Sequence, residues 1–332
     1  MNTFGRLFRV NIFGESHGES VGVNIDGCPA GLSLPLEDFL PDLERRKGGM
    51  QKGTTPRKED DLPLFKSGLF NGISTGSPIT ILFENNNTRS GDYEKQRAVP
   101  RPGHADFVAH AKFGGFEDYR GGGPFSARLT VGLVAAGVIG KKLLGGATVT
   151  ATILEIGGEQ DLDKGLQKAI DAKDSIGGII ECRVSGLPVG LGEPFWDSVE
   201  SLIAHAIFAI PAVRGVEFGT GFAAARMFGS EHNDAIEDLQ GHTRTNHAGG
   251  VVGGITNGNE LVFRLAIKPT SSTPKEQWTL NWETGQQEIF SVKGRHDLCV
   301  ALRAPVIVEA VTAIVLADLL LLEQRVGRVV RP

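Results

Sequence analysis

The pentapeptide Gly14-Glu15-Ser16-His17-Gly18 holds two side chains that do nucleophilic and proton-transfer chemistry. As Gly-x-Ser-x-Gly it matches the elbow that presents a nucleophilic serine in hydrolases. As a turn after the apolar run Leu7, Phe8, Val10, Ile12 and Phe13, it presents His17 as an acid or base, because imidazole titrates near neutral pH. A hydrolase elbow follows several parallel strands and opens into a helix. Only 15 residues precede Ser16, and Val21-Gly22-Val23-Asn24-Ile25 after it reads as a strand. The hydrolase reading is therefore disfavoured, and it predicts labelling of Ser16 by a fluorophosphonate.

Further candidates lie in Gly-rich and basic segments. Arg45-Arg46-Lys47 with Lys52, Arg57 and Lys58 is the densest basic run, fit either for a solvated helix end or for an anion. In Arg101-Pro102-Gly103-His104-Ala105-Asp106 a histidine is held between a Pro-Gly turn and a carboxylate. Arg120-Gly121-Gly122-Gly123-Pro124-Phe125-Ser126-Ala127-Arg128 leads into a helix whose first N–H groups can bind an anion. Lys268-Pro269-Thr270-Ser271-Ser272 offers one ammonium and three hydroxyls. In Gly294-Arg295-His296-Asp297 an arginine and a carboxylate lie two apart, on one side of an extended chain. Together these make a cationic pocket with histidines and a carboxylate, suited to a small polyanion, since guanidinium pairs bidentately with phosphate and carboxylate. Gly219-Thr220-Gly221-Phe222-Ala223-Ala224 matches a dinucleotide fingerprint in spacing only; it lacks a βαβ context and reads as a turn.

Elements of both kinds must position these groups. Strands are expected at 6–13, 21–25, 79–83, 147–156 and 178–184, and a hairpin pairing 251–255 with 261–267 around Asn257-Gly258. Helices are expected at 36–46, 128–144, 162–173, 199–208 and 305–325, the second apolar on most sides and so internal. The stretch 85–107 reads as a long functional loop. Strands and helices do not alternate regularly, which favours one mixed α+β unit over residues 1–332 with largely antiparallel sheets.

Composition narrows the function. The 332 residues include 45 glycines, about twice the usual share, clustered beside polar residues as turns around a site would be. A net charge of −5 argues against a nucleic-acid binder. Cys28, Cys182 and Cys299 are far apart and form no C-x-x-C, so neither a metal site nor a disulfide framework is suggested, and a reducing cytoplasm fits. The N-terminal residues lack an apolar leader, and 310–322, broken by Asp318, reads as a buried helix too short to span a membrane.

Taken in order, these segments resemble the chorismate synthase family over nearly the whole chain. Gly14 to Gly18 running on to Asp26-Gly27-Cys28-Pro29 is similar to its first signature, Ser126-Ala127-Arg128 through Ala135-Ala136-Gly137 to its second, and Gly294-Arg295-His296-Asp297 through Glu309-Ala310 to its third. Arg101 to Asp106, Asn246-His247-Ala248-Gly249-Gly250 and Lys268 to Ser272 match as well. The resemblance implies a β-α-β sandwich with antiparallel sheets around a helical core, assembled as a homotetramer. It implies a lyase that converts 5-enolpyruvylshikimate 3-phosphate to chorismate by an anti 1,4-elimination requiring reduced FMN. Catalytic roles are implied for His17, His104 and Asp297, and substrate binding for Arg46, Lys52, Arg101, Arg128 and Arg295. Flavin contacts are implied for Ser126, Ala212, Gly253, Lys268, Pro269, Thr270, Ser271, Ser272 and Arg295. The chain departs from the family where Pro124-Phe125 replaces a common Arg-Ser, at Pro211 and Leu298, and at Lys52, where Arg is common; weaker FMN binding is the expected consequence. With no nicotinamide-binding segment recognisable, an external flavin reductase is the expected partner. A non-catalytic binder of flavin or polyanions is the competing reading.

Overall fold

The computed structural model describes residues 2–49, 52–57, 59–87, 97–292 and 296–330. It places two antiparallel sheets on either side of a helical layer. The first sheet, in the order β1-β2-β3-β7-β4, contains β1 (Thr3–Phe4), β2 (Arg9–Gly14), β3 (Ser20–Asp26), β4 (Leu64–Ser67) and β7 (Ile79–Glu84). β5 (Leu69–Phe70) and β6 (Ile73–Ser74) form a small ribbon between β4 and β7. The second sheet, in the order β10-β13-β9-β8, contains β8 (Thr148–Ile156), β9 (Gly178–Ser185), β10 (Val213–Phe218) and β13 (Leu261–Ile267). Two further ribbons pair β11 (Val251–Val252) with β12 (Ile255–Thr256), and β14 (Gln277–Asn281) with β15 (Gln286–Phe290).

Alternation sets which sheet face turns inward. Val21, Val23 and Ile25 on β3, with Ile79, Ile81 and Phe83 on β7, have no exposed surface. They face the helical layer, whose helices are α1 (Leu40–Arg46), α3 (Thr130–Leu143), α5 (Val199–Ile207) and α7 (Ala304–Leu322). α3 packs against the first sheet, α7 against β8 and β9, and α3 against α7. The helices touch through backbone: a Cβ at Gly137 would lie 2.2 Å from that of Ala310, and one at Gly140 would lie 2.9 Å from the Ala313 carbonyl oxygen. α4 (Leu162–Ala172) lies on β8, while α2 (Asp106–Phe113) and the short α6 (Gly229–His232) belong to the connections.

α7 is longer than its apolar run suggests. Its 19 residues meet the length and composition of a membrane span, but most of the helix is buried inside the protein. Asp318 does not break it. Its carboxylate accepts the backbone N–H groups of Arg6, Leu7 and Phe8 at 2.9, 2.7 and 2.8 Å, so a buried charge ties the N-terminal segment to the core.

The expected hairpin of 251–255 with 261–267 is not formed. Val251 and Val252 pair with Thr256 and Ile255 across Gly253-Gly254, both at positive φ, which tightens the turn to two residues. β13 is instead central, between β10 and β9. The described end of the expected loop at 85–107 runs into α2, which starts at Asp106. Gly219-Thr220-Gly221 follows β10, yet β10 pairs antiparallel with β13 and no βαβ unit is formed there.

Candidate active site

Segments distant in sequence meet in an open cleft of about 570 Å³, within the usual size of a small-molecule site. The β2–β3 turn brings Ser16 and His17, and the end of α1 brings Arg46. The glycine-rich run before α3 brings Gly121 to Arg128, and the segment before α2 brings Arg101 and His104. The α5–β10 connection and the start of β10 bring 208–214, the segment after β13 brings Lys268 and Thr270 to Ser272, and His296, Asp297, Val300 and Arg303 complete the lining. The lining holds eight arginines and lysines against three carboxylates, an excess of five positive charges in a chain of net charge −5.

β2 and β3 form a strand-turn-strand hairpin, not the strand-turn-helix of a nucleophile elbow. Ser16 is 1% exposed, and its Oγ accepts from Arg57 Nη1 at 3.1 Å. Arg57 is anchored in turn by Glu59 at 2.6 Å. The turn therefore presents His17, whose ring packs against Gly121: a Cβ there would stand 2.5 Å from His17 Cδ2 and 2.7 Å from its Nε2. Gly121, Gly122 and Gly123 all have positive φ, so the glycine run can turn beneath the imidazole where a side chain would collide.

Arg46 and Arg128 are 5% and 6% exposed. Both donate to Asp61: Arg46 Nη2 to Oδ2 at 2.6 Å, and Arg128 Nη1 to Oδ1. Burial pushes the Asp61 carboxyl up, but the two guanidiniums outweigh it and hold it below the usual carboxylate range. Arg128 also donates to Asn85 Oδ1 at 2.9 Å and to the Glu84 carbonyl at 3.1 Å.

Arg101, His104 and Asp106 form a second cluster. Arg101 donates to both Asp106 oxygens at 2.8 Å and to Ser272 Oγ at 3.1 Å. His104 Nδ1 stands 2.6 Å from Asp106 Oδ1 and 3.1 Å from Arg101 Nη2, so the carboxylate and the guanidinium together orient the ring. Burial raises the Asp106 carboxyl, and hydrogen bonds from Arg101 and His104 hold it far below the usual range.

Asp297 accepts from the Thr55 N–H at 2.8 Å and from Arg303 Nη2 at 2.7 Å. Beside it, burial pushes the pKa of His296 down to about 4, helped by the positive charge of Arg101 and opposed by Asp297. Lys268 Nζ donates to Ser271 Oγ at 2.7 Å, and burial and then Arg214 hold its pKa below the ordinary lysine value. Ser126 caps the start of the helical turn by accepting from the Arg128 N–H.

The cleft thus gathers His17, His104, Asp297, Arg46, Arg101, Arg128, Ser126, Ala212, Lys268, Thr270, Ser271 and Ser272. It does not gather three residues expected there. Lys52 Nζ turns outward to Gln167 Oε1 on α4 at 3.2 Å. Gly253 sits in the β11–β12 turn, and Pro269 presents its carbonyl to Lys268. Arg295 lies outside the described residues. Pro124, Phe125 and Pro211 do line the cleft, with Phe125 against Phe113 at 6.4 Å. Asp61, Thr55 and Arg303 went unread: Glu59-Asp60-Asp61 resembles any solvated acidic run, and nothing local announces its partners. Asp106, by contrast, was legible as the carboxylate beside His104.

Among the described residues, seven buried side-chain polar atoms lack a hydrogen-bond partner, and four of them, Arg46 Nε, Thr270 Oγ1, His296 Nε2 and Arg303 Nε, belong to residues that line this cleft. Buried polar atoms are normally paired, so these mark where a ligand would bond. Phe125, Leu133, Phe208, Ile210 and Pro211 supply an apolar wall. A flat heteroaromatic ring carrying a phosphate fits that donor set and wall.

The chorismate synthase family profile matches residues 8–321. A curated chorismate synthase from Chitinophaga pinensis is 73% identical over 330 residues, covering 99% of both chains. One from Dehalococcoides mccartyi is 44% identical over 361 aligned positions, again covering 99% of each. A crystal structure of a chorismate synthase superposes with a TM-score of 0.75 at 28% identity, covering 98% of this chain and 95% of that one. By sequence and by fold, this chain belongs to the chorismate synthase family.

Proposed function

We propose that this lyase converts 5-enolpyruvylshikimate 3-phosphate to chorismate and phosphate by an anti 1,4-elimination that requires reduced FMN. Four unpartnered buried polar atoms on residues of one cationic cleft, three of them on arginine or histidine, carry the reading: they suit a ligand bearing a phosphate and two carboxylates. Arg46, Arg101 and Arg128 bind the anion and stabilise charge on the departing phosphate. His17 gives it a proton. Asp297, fixed by Thr55 and Arg303, assists removal of the C6 proton. His104, oriented by Asp106, exchanges a proton beside the flavin.

Lys268, Thr270, Ser271, Ser126 and Ala212 would hold FMN; Arg295, also expected to contact it, lies outside the described residues. When bound, reduced FMN supplies electron density and a basic N5 region to the reacting face. The chain acts as one domain in the cytoplasm, assembled as a homotetramer and served by an external flavin reductase. Sedimentation should give four times the chain mass of 35.4 kDa. The deciding experiment is anaerobic release of phosphate from the substrate with reduced FMN. Binding of both without release would favour a non-catalytic relative.

A further inference from the structure

We infer that Asp61 is a positioning residue that assembles Arg46 and Arg128 into a single receptor for the substrate's phosphate, a role that rests on the proposed reaction. Its side chain has no exposed surface. The two arginines arrive on different elements, one at the end of α1 and one in the turn before α3, so nothing in either element sets their spacing. The carboxylate does: Oδ2 takes Arg46 Nη2 and Oδ1 takes Arg128 Nη1. Arg128 has Asn85 and the Glu84 carbonyl as further anchors. Among the described residues, the Arg46 side chain has beyond Asp61 only a 3.4 Å contact to Thr130 Oγ1, and its Nε is buried without a partner. Asp61 therefore decides where the Arg46 guanidinium points.

Two buried guanidiniums share one carboxylate, which leaves one positive charge uncompensated within the triad. An anion completes it. Asp61 holds this bridge from φ 49°, in the left-handed region that Asp and Asn tolerate better than most side chains.

The backbone thus accepts Asp61→Asn, and the substitution separates two effects. It adds one positive charge to the cleft, which by Coulomb attraction alone tightens anion binding. It also sets an amide N–H against one guanidinium and splays the pair. Positioning predicts that geometry wins. Titrating inorganic phosphate into full-length D61N should give a Kd raised about tenfold or more, the scale typical of losing a group that orients a ligand. The substrate KM should rise in parallel, while flavin affinity without substrate stays unchanged. D61E keeps the charge but moves the carboxylate by one methylene, so it should also weaken phosphate binding, and it decides the matter if D61N does not fold. A folded variant that binds phosphate as tightly as the wild type overturns the proposal and leaves the reaction standing. A wild type that neither binds phosphate nor releases it from substrate takes down both.

Discussion

The proposed role of His17 as the acid rests on position: its ring packs against the Gly121 backbone, and Ser16 beside it is already committed to Arg57. His17→Ala, His104→Ala and Asp297→Asn should each lower kcat by about 100-fold or more, the usual worth of a positioned acid or base, with FMN still bound. Single-turnover phosphate release checks this, and a variant near full rate loses its assigned role. His296 behaves differently. With its pKa pushed from 6.5 to about 4, the folded protein holds it neutral while the unfolded chain takes up a proton. More protons bound in the unfolded state means stability rises with pH across that window. The contribution is thus present above about pH 6.5 and lost as pH falls toward 4, by at most ~3 kcal/mol. The carboxylates Asp61 and Asp106, held below their usual range, weaken the fold only at lower pH. Denaturation of His296→Gln between pH 4 and 6.5 should show a flatter dependence than the wild type; an equal slope would mean that this imidazole is not held neutral.

The helix pair α3 and α7 sets the geometry of the cleft from behind. α3 follows directly on the turn bearing Arg128, and α7 follows directly on Arg303. Their spacing depends on Gly137, where a methyl group would stand 2.4 Å from the Ala310 Cα. Gly137→Ala should therefore force the helices apart and cost about 1–3 kcal/mol, the usual scale of overpacking. Because the helix ends carry Arg128 and Arg303, kcat/KM should fall too. Urea denaturation and steady-state kinetics on one preparation test both halves. Unchanged stability would show that the layer yields at this point.

For the molecule as a whole, the contrast is between an acidic surface and a basic cleft. A cleft with excess positive charge concentrates field and draws in a polyanion, and salt screens that attraction. The substrate KM should rise steadily across ~0.05–0.5 M salt, with kcat changing far less. A KM indifferent to salt would place binding on contacts other than charge. The apolar wall bears on the proposed binding of FMN. With Pro124-Phe125 where an arginine and a hydroxyl are common in the family, FMN should bind less tightly here than to a relative carrying them, as fluorescence titration of the two would reveal.

Apolar alternation in β3 and β7, the small-residue helix α3 and the polar glycine turns are local patterns, and each dictates its element because burial of one face is encoded residue by residue. The residue types of the cleft were legible for the same reason: histidines, arginines and a lysine stand among glycines that nothing else requires. Pairings between distant segments were not. β10 has only Val213 fully buried, so it carries no alternating signal and owes its strand to β13. The turn at Gly253-Gly254 prevailed over Asn257-Gly258 because β13 was needed between two other strands. Lys52 and Arg46 lie in one basic run, yet one meets Gln167 in solvent and the other Asp61 in the interior. Which cation enters the cleft, and which carboxylate holds it there, depends on burial created by the packed layers, and that energy exists only once the chain has folded.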